Sequence, residues 1–123
     1  MNLRRARGLR AWRDGHFAEW QAAIFLMLAG WRILGFRLKS QGVEIDILAV
    51  RDGVVAVVEV KRRRTLDEAF AAVTPAQLRR LRRAGEAVAA QRSDLRGLGV
   101  RIDLFAIAPG RWPRHVPDAW PHH

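Results

Sequence analysis

Between positions 44 and 61 the chain reads EIDILAVRDGVVAVVEVK, two apolar runs broken by Asp52-Gly53. That dipeptide favours the positive φ angles of a two-residue hairpin turn. With Arg51 and Val54 flanking the turn, Asp46 is set opposite Glu59 and Glu44 opposite Lys61. Side-chain alternation then puts all four on one face of the hairpin. Upstream, Phe17, Trp20, Ile24, Met27, Leu28 and Trp31 recur at helical spacing and predict a helix from Asp14 or Gly15 to Ala29 or Gly30. Its other side carries Ala22, Ala23, Leu26 and Glu19, so the helix is expected to be covered on both sides, with Glu19 partly buried and in need of a partner. Residues 33–38 predict a first strand. Downstream, Thr74 as N-cap, Pro75 at the first helical position and Gln77 as the reciprocal cap open a helix over 73–91, with Val73 and Leu78 as its hydrophobic staple and Leu78, Leu81, Gly85 and Val88 as its core stripe. Residues 100–108 predict a last strand with Arg101 and Asp103 on one face.

The order helix, three strands, helix, strand predicts an α/β fold: a mixed four-stranded sheet with helices packed on it, the last strand returning parallel after the second helix. One domain over 14–108 is expected, between a basic N-terminal arm over 1–13 and a tail over 109–123 containing Pro, Trp and His.

Charge changes this picture at the hairpin. Opposed Cβ atoms sit about 5 Å apart, where two carboxylates repel unless something compensates them. Asp46 and Glu59 therefore ask for a cation between them. Glu59 also lies in an otherwise apolar strand covered on both faces. A simple ion pair of Glu59 with Lys61 is the plainer alternative, but it leaves Asp46 unexplained. Over the whole chain 22 Lys and Arg face 12 Asp and Glu, a net charge of +10, which favours a polyanionic partner, nucleic acid first. The competing reading is an Arg-rich composition with no functional content. Arg62, Arg63 and Arg64 adjoin the acids where a phosphate backbone would lie, and Arg79, Arg80, Arg82 and Arg83 flank the second helix as candidate nucleic-acid contacts. Cysteine is absent, which excludes disulfide, thiolate-metal and cysteine-nucleophile chemistry and fits a reducing cytoplasm. The uncharged run over 20–31 falls short of the ~20 residues of a membrane span. No Gly-rich phosphate loop, Ser-His-Asp pattern or zinc spacing is present.

An acid on one strand, Glu59-Val60-Lys61 at the end of the next and Glu19 on an upstream helix together resemble the core of the PD-(D/E)XK, or restriction-endonuclease-like, nucleases. Gly15-His16-Phe17-Ala18-Glu19, Gly30-Trp31-Arg32-Ile33-Leu34, Glu44-Ile45-Asp46-Ile47, Val58-Glu59-Val60-Lys61-Arg62-Arg63, Ala72-Val73-Thr74-Pro75-Ala76 and Arg101-Ile102-Asp103 are more specifically similar to the YraN family of uncharacterised proteins, relatives of archaeal Holliday-junction resolvases. The resemblance covers roughly residues 15–108. It implies a Mg²⁺ or Mn²⁺ site with Asp46 and Glu59 as ligands, helped by the Val60 carbonyl and supported by Glu19. Lys61 would position the attacking water and steady charge on the phosphate, with Glu44 pairing with Lys61. It further implies DNA, branched or from recombination and repair, as substrate, and a homodimer. The chain departs from the family at Val43, where Gly is usual, at Ile102, where Phe is usual, and at Gln77, where Lys is common; the last change leaves a cap in place of a catalytic or phosphate-binding cation. The alternative is a non-catalytic nucleic-acid-binding module of the same fold, in DNA recombination, repair or uptake.

Overall fold

The computed structural model describes residues 3–121, with side chains from residue 16 onward. Its elements in chain order are α1 (Leu3–Leu28), β1 (Arg32–Ser40), β2 (Val43–Arg51), β3 (Val54–Arg62), α2 (Leu66–Ala71), α3 (Pro75–Gln91), β4 (Gly99–Ile107) and β5 (Arg114–Val116). The strands form one sheet in sequential order, antiparallel except for the parallel β3–β4 pair. α1 and α3 cover opposite faces. Ala22, Ala23 and Leu26 of α1 pack on Ile47, Ala49, Ala56, Val58 and Phe105. Leu78, Leu81 and Ala84 of α3 pack on Leu48, Val55, Val57 and Ile102.

Three sequence expectations need correction. The sheet has five strands, because part of the expected tail pairs with β4 as β5. The segment before α3 contains the short helix α2, capped by the Thr65 side chain on the Glu68 N–H at 3.1 Å. The first helix starts at Leu3, so its backbone runs continuously through the boundary expected at 13/14. The side chains of the arginine-rich arm, and the terminal His122 and His123, lie outside the described residues.

The covering of α1 differs as well. Only its small side, Ala18, Ala22, Ala23 and Leu26, is buried, while Phe17, Trp20, Ile24, Met27 and Leu28 are half or more exposed. Alanines let the helix approach the sheet closely, and the large residues on the far side are left without a layer above them.

The hairpin has the expected register, Arg51 opposite Val54 through Ile47 opposite Val58, with Asp52 and Gly53 both at positive φ (50° and 76°), as a type I′ turn requires. α3 begins with the full capping box: the Gln77 N–H donates to Thr74 Oγ1 at 3.1 Å, and the Thr74 N–H donates to Gln77 Oε1 at 2.8 Å. Gly85 sets how closely α3 lies on the sheet, since a Cβ there would meet Val57 Cγ2 at 2.6 Å.

Candidate active site

The regular β2–β3 ladder ends at Ile47 and Val58. One step further, the Asp46 side chain takes over: its Oδ2 accepts the Val60 backbone N–H at 2.9 Å. A strand residue points its N–H and C=O to the same edge, so the Val60 carbonyl also faces the Asp46 side. On the other flank of β2, Arg37 has φ +49° at the β1 position between the Phe36–Ile47 and Leu38–Ile45 pairs, opposite Asp46. A non-glycine residue in the left-handed region costs roughly 1–2 kcal/mol. The consequence is visible in the packing: Phe36 and Ile47 join the α1 side of the core, whereas Leu38 and Ile45 join the α3 side. The strand pair turns over at Asp46.

Glu44, Asp46, Glu59 and Lys61 line one cavity of about 340 Å³ together with Gln77 and Arg80 of α3. Glu59 is 4 % exposed and lines the cavity with Asp46. Its carboxyl is pushed up to about 10, first by desolvation, then by the hydrogen bond and charge of Asp46, with Lys61 opposing and Glu44 adding to the rise. Glu59 thus holds a proton at neutral pH. A buried acid kept neutral beside a second acid is the kind of perturbed group that clusters at functional sites.

Glu19 approaches from the α1 side. Its Oε2 accepts from Arg37 Nη1, and it is not among the residues lining the cavity. Burial pushes its carboxyl up, Arg37 pulls it down, and Asp46 pushes it up again, so Glu19 stands within electrostatic reach of the acid pair while its ion pair is with Arg37. The expected pairing of Glu44 with Lys61 is not formed: among the described residues no ion pair joins them. Both reach the cavity from strand ends that have already diverged. Gln77 lines the cavity and spends its side chain on the cap. Among the described residues no group of three or more His, Asp or Glu side chains stands close enough to hold one ion.

The candidate nucleic-acid contacts divide. Arg62, Arg63, Arg64, Arg79, Arg80 and Arg83 are exposed. Arg82 is half-buried, with its Nη1 donating to the Val100 carbonyl at 3.0 Å, so this guanidinium is occupied inside the fold.

A second acid cluster was not read from the sequence. Asp103 is fully buried, accepts from Arg101 Nε at 2.9 Å and from the Asp118 N–H at 2.9 Å, and meets His115 Nε2 at 2.8 Å. Desolvation pushes its carboxyl up, but His115, Arg101 and the Asp118 N–H outweigh it, and the net shift is downward. An Arg-x-Asp pair inside an apolar strand was the available signal; that its partners come from the tail was not readable locally.

These features define an α/β protein with a mixed five-stranded sheet, whose hairpin carries the buried Glu59, the half-buried Asp46 and Lys61 into one cavity. The family model for "Uncharacterised protein family UPF0102" matches residues 18–107. The chain is 56 % identical over 118 residues to a UPF0102 protein of Caulobacter vibrioides, covering 96 % of this chain and 94 % of that one. It is 48 % identical over 114 residues to one from Paramagnetospirillum magneticum (89 % and 88 % covered), and 46 % identical over 114 residues to one from Rhizobium meliloti (93 % of each). The chain belongs to the UPF0102 family, the YraN-type family that its sequence blocks resemble.

Proposed function

We propose that this protein is a divalent-metal-dependent endonuclease of restriction-endonuclease-like fold, hydrolysing phosphodiester bonds of DNA at the Asp46–Glu59–Lys61 cavity. The observation that carries the reading is the buried, protonated Glu59 in one cavity with Asp46 and Lys61 on a chain of net charge +10. The donor chemistry fits a hard cation: two carboxyl groups that would repel if both were ionised, and a backbone carbonyl at Val60 turned to the same edge, with waters completing the shell. Mg²⁺ or Mn²⁺ held by Asp46, Glu59 and Val60 would supply Lewis acidity toward the phosphoryl oxygen and a more acidic bound water.

The protein's own groups do the remaining work. Glu59 gives up its proton when a cation replaces it. Lys61, across the cavity from Glu44, orients the attacking water and offsets negative charge growing on the phosphate. Arg80 on the cavity wall, with Arg62 to Arg64 beyond it, holds the phosphate backbone in register. Glu19 acts at one remove, fixing Arg37 and so the strand turnover that presents Asp46.

The exposed stripe Phe17, Trp20, Ile24, Met27 and Leu28 supports pairing of two copies through α1. At on the order of 100–150 Å² each, these side chains offer roughly 600 Å², close to the ~800 Å² per partner of a stable interface. Trp20→Glu is expected to convert the dimer to monomer in sedimentation equilibrium; an unchanged mass contradicts the pairing. No helix of the described residues is long and apolar enough to cross a membrane, and a chain without cysteine suits action on DNA in the reducing cytoplasm.

Purified protein is expected to nick or cleave at least one member of a panel of branched, single-stranded and duplex DNAs with Mn²⁺ or Mg²⁺, and Asp46→Ala is expected to abolish this while leaving the fold intact. A second reading is favoured because, among the described residues, no three acidic or histidine side chains stand close enough to hold one ion: a non-catalytic DNA-binding module of the same fold. Salt-sensitive binding without cleavage of any panel member would select it. Absence of binding at low salt would remove both.

A further inference from the structure

The carboxyl ends of the parallel strands β3 and β4 carry a second cavity, larger than that of the acid pair at about 570 Å³, whose walls include Arg64, Arg111, Arg114 and Trp112. Asp67 is the one carboxylate among its lining residues, and among the described residues none of the three guanidiniums has a carboxylate partner. Ends of parallel strands are where open α/β sheets bind their ligands.

Trp112 is 86 % exposed, an unusual position for the largest apolar side chain. The local sequence holds it there. Pro109 and Gly110 form a turn with Gly110 at φ +71° and the Arg111 N–H bonded to the Ala108 carbonyl at 3.3 Å, the pattern of a type II turn. Pro113 then restricts the backbone of Trp112 itself, and β5 fixes Arg114 opposite Ala106. The indole is presented by a braced loop between two arginines.

An adjoining hollow of about 350 Å³ is lined by Arg62, Arg63 and Arg64 and shares Arg64 with the Trp112 cavity. Positive charge therefore continues from Lys61 at the acid pair to Arg111 and Arg114. Arg64 lies three residues beyond Lys61, at most about 10 Å along the chain, which is a few nucleotides of backbone.

We propose that the Trp112 cavity is a binding site for an unpaired nucleotide of single-stranded DNA, with the base stacked on Trp112 and the flanking phosphates on Arg64, Arg111 and Arg114. The chemistry favours this occupant over an apolar peptide, because a flat aromatic surface ringed by guanidiniums matches a π-face joined to anions. A base inside a duplex has no free face to offer, so the site selects unpaired strands. The inference deepens the nuclease reading by giving its substrate an unpaired segment next to the cleavage position, and it rests on nucleic acid being the ligand.

The test uses the full chain, with EDTA present to prevent cleavage, and fluorescence anisotropy of a labelled oligothymidylate and of a labelled duplex of the same length. Trp112→Ala is expected to weaken single-strand binding about tenfold and duplex binding less than twofold, with Trp112→Phe recovering most of the loss. Arg111→Ala and Arg114→Ala are each expected to lower the salt slope of single-strand binding by roughly 0.7. Equal effects of Trp112→Ala on both probes, or none on either, overturn the proposal and leave the nuclease reading standing. Wild-type protein that binds neither probe overturns both. Selective loss in Trp112→Ala, together with cleavage that survives Asp46→Ala, supports the site and removes the acid pair as the metal centre.

Discussion

Asp103 and Glu59 stand on adjacent parallel strands, each cut off from solvent, and their surroundings drive the two carboxyls in opposite directions. Around Asp103 every oxygen is answered: a guanidinium, an imidazole and a backbone N–H converge on it, and the charged form is held more firmly than in water. Around Glu59 burial and the charges of Asp46 and Glu44 outweigh the opposing charge of Lys61, and the charged form is suppressed. A buried acid that is fully partnered fastens the fold; here it joins the tail to the sheet, with Arg101 stacked 5.2 Å from the Trp31 ring centre. A buried acid set beside another acid keeps a proton instead, and the proposed cation would take that proton's place.

The comparison can be broken at either end. The largest effect is expected at the acid pair: Lys61→Ala should lower metal-dependent cleavage on the order of 10²–10³-fold, the size lost when one preorganised charge is removed from a developing oxyanion, with little change in melting temperature. Single-turnover kinetics on a branched DNA would read this, and a residual rate within tenfold of wild type would contradict it. At the other end, Asp103→Ala should destabilise by about 3 kcal/mol in urea unfolding, because Arg101 and His115 lose a buried partner. A loss under 1 kcal/mol would mean the network is ornamental.

The pH dependence separates the two acids by sign. Glu59 keeps a proton that the unfolded chain releases near 4.5, so its contribution is full below that value and falls as pH rises toward about 10, by up to about 1 kcal/mol per pH unit. Asp103 is the reverse: its contribution is present above the unfolded value of 3.8 and is lost as pH falls through the lower folded value. In EDTA, stability measured between about pH 5 and pH 8 should therefore decline for wild type and lie nearly flat for Glu59→Gln. Equal slopes would contradict the raised Glu59. The smallest effect belongs to Glu44, the weakest contributor to that rise: Glu44→Gln should leave the onset of the decline unchanged and bring its upper end, set by the folded Glu59, to lower pH, since it relieves a repulsion felt only by ionised Glu59.

Much of this was legible in the chain because its signals are local. Asp52-Gly53 set the hairpin register, and register placed Asp46, Glu59 and Lys61 around one cavity. Thr74-Pro75-Ala76-Gln77 announced the start of α3. What escaped depended on contacts far apart in sequence or on very short elements. The strand β5 has three residues and no periodicity of its own, and His115 acquires its meaning only when it reaches Asp103 across the sheet edge. Arg37 gave no sign of a left-handed backbone, since its conformation follows from its position opposite Asp46 and its bond to Glu19. The apolar stripe of α1 was read as covered because a helix apolar on two sides normally is; the spacing gives the face and not the layer above it.

The central proposal is that Glu59, beside Asp46, exchanges its proton for a divalent cation. Calorimetric titration of Mn²⁺ at pH 7, in two buffers of different ionisation enthalpy, tests this without reference to cleavage. The account predicts binding with release of about one proton per ion, lost in Asp46→Ala. Binding without proton release, binding undiminished in Asp46→Ala, or no binding at millimolar Mn²⁺ would contradict it.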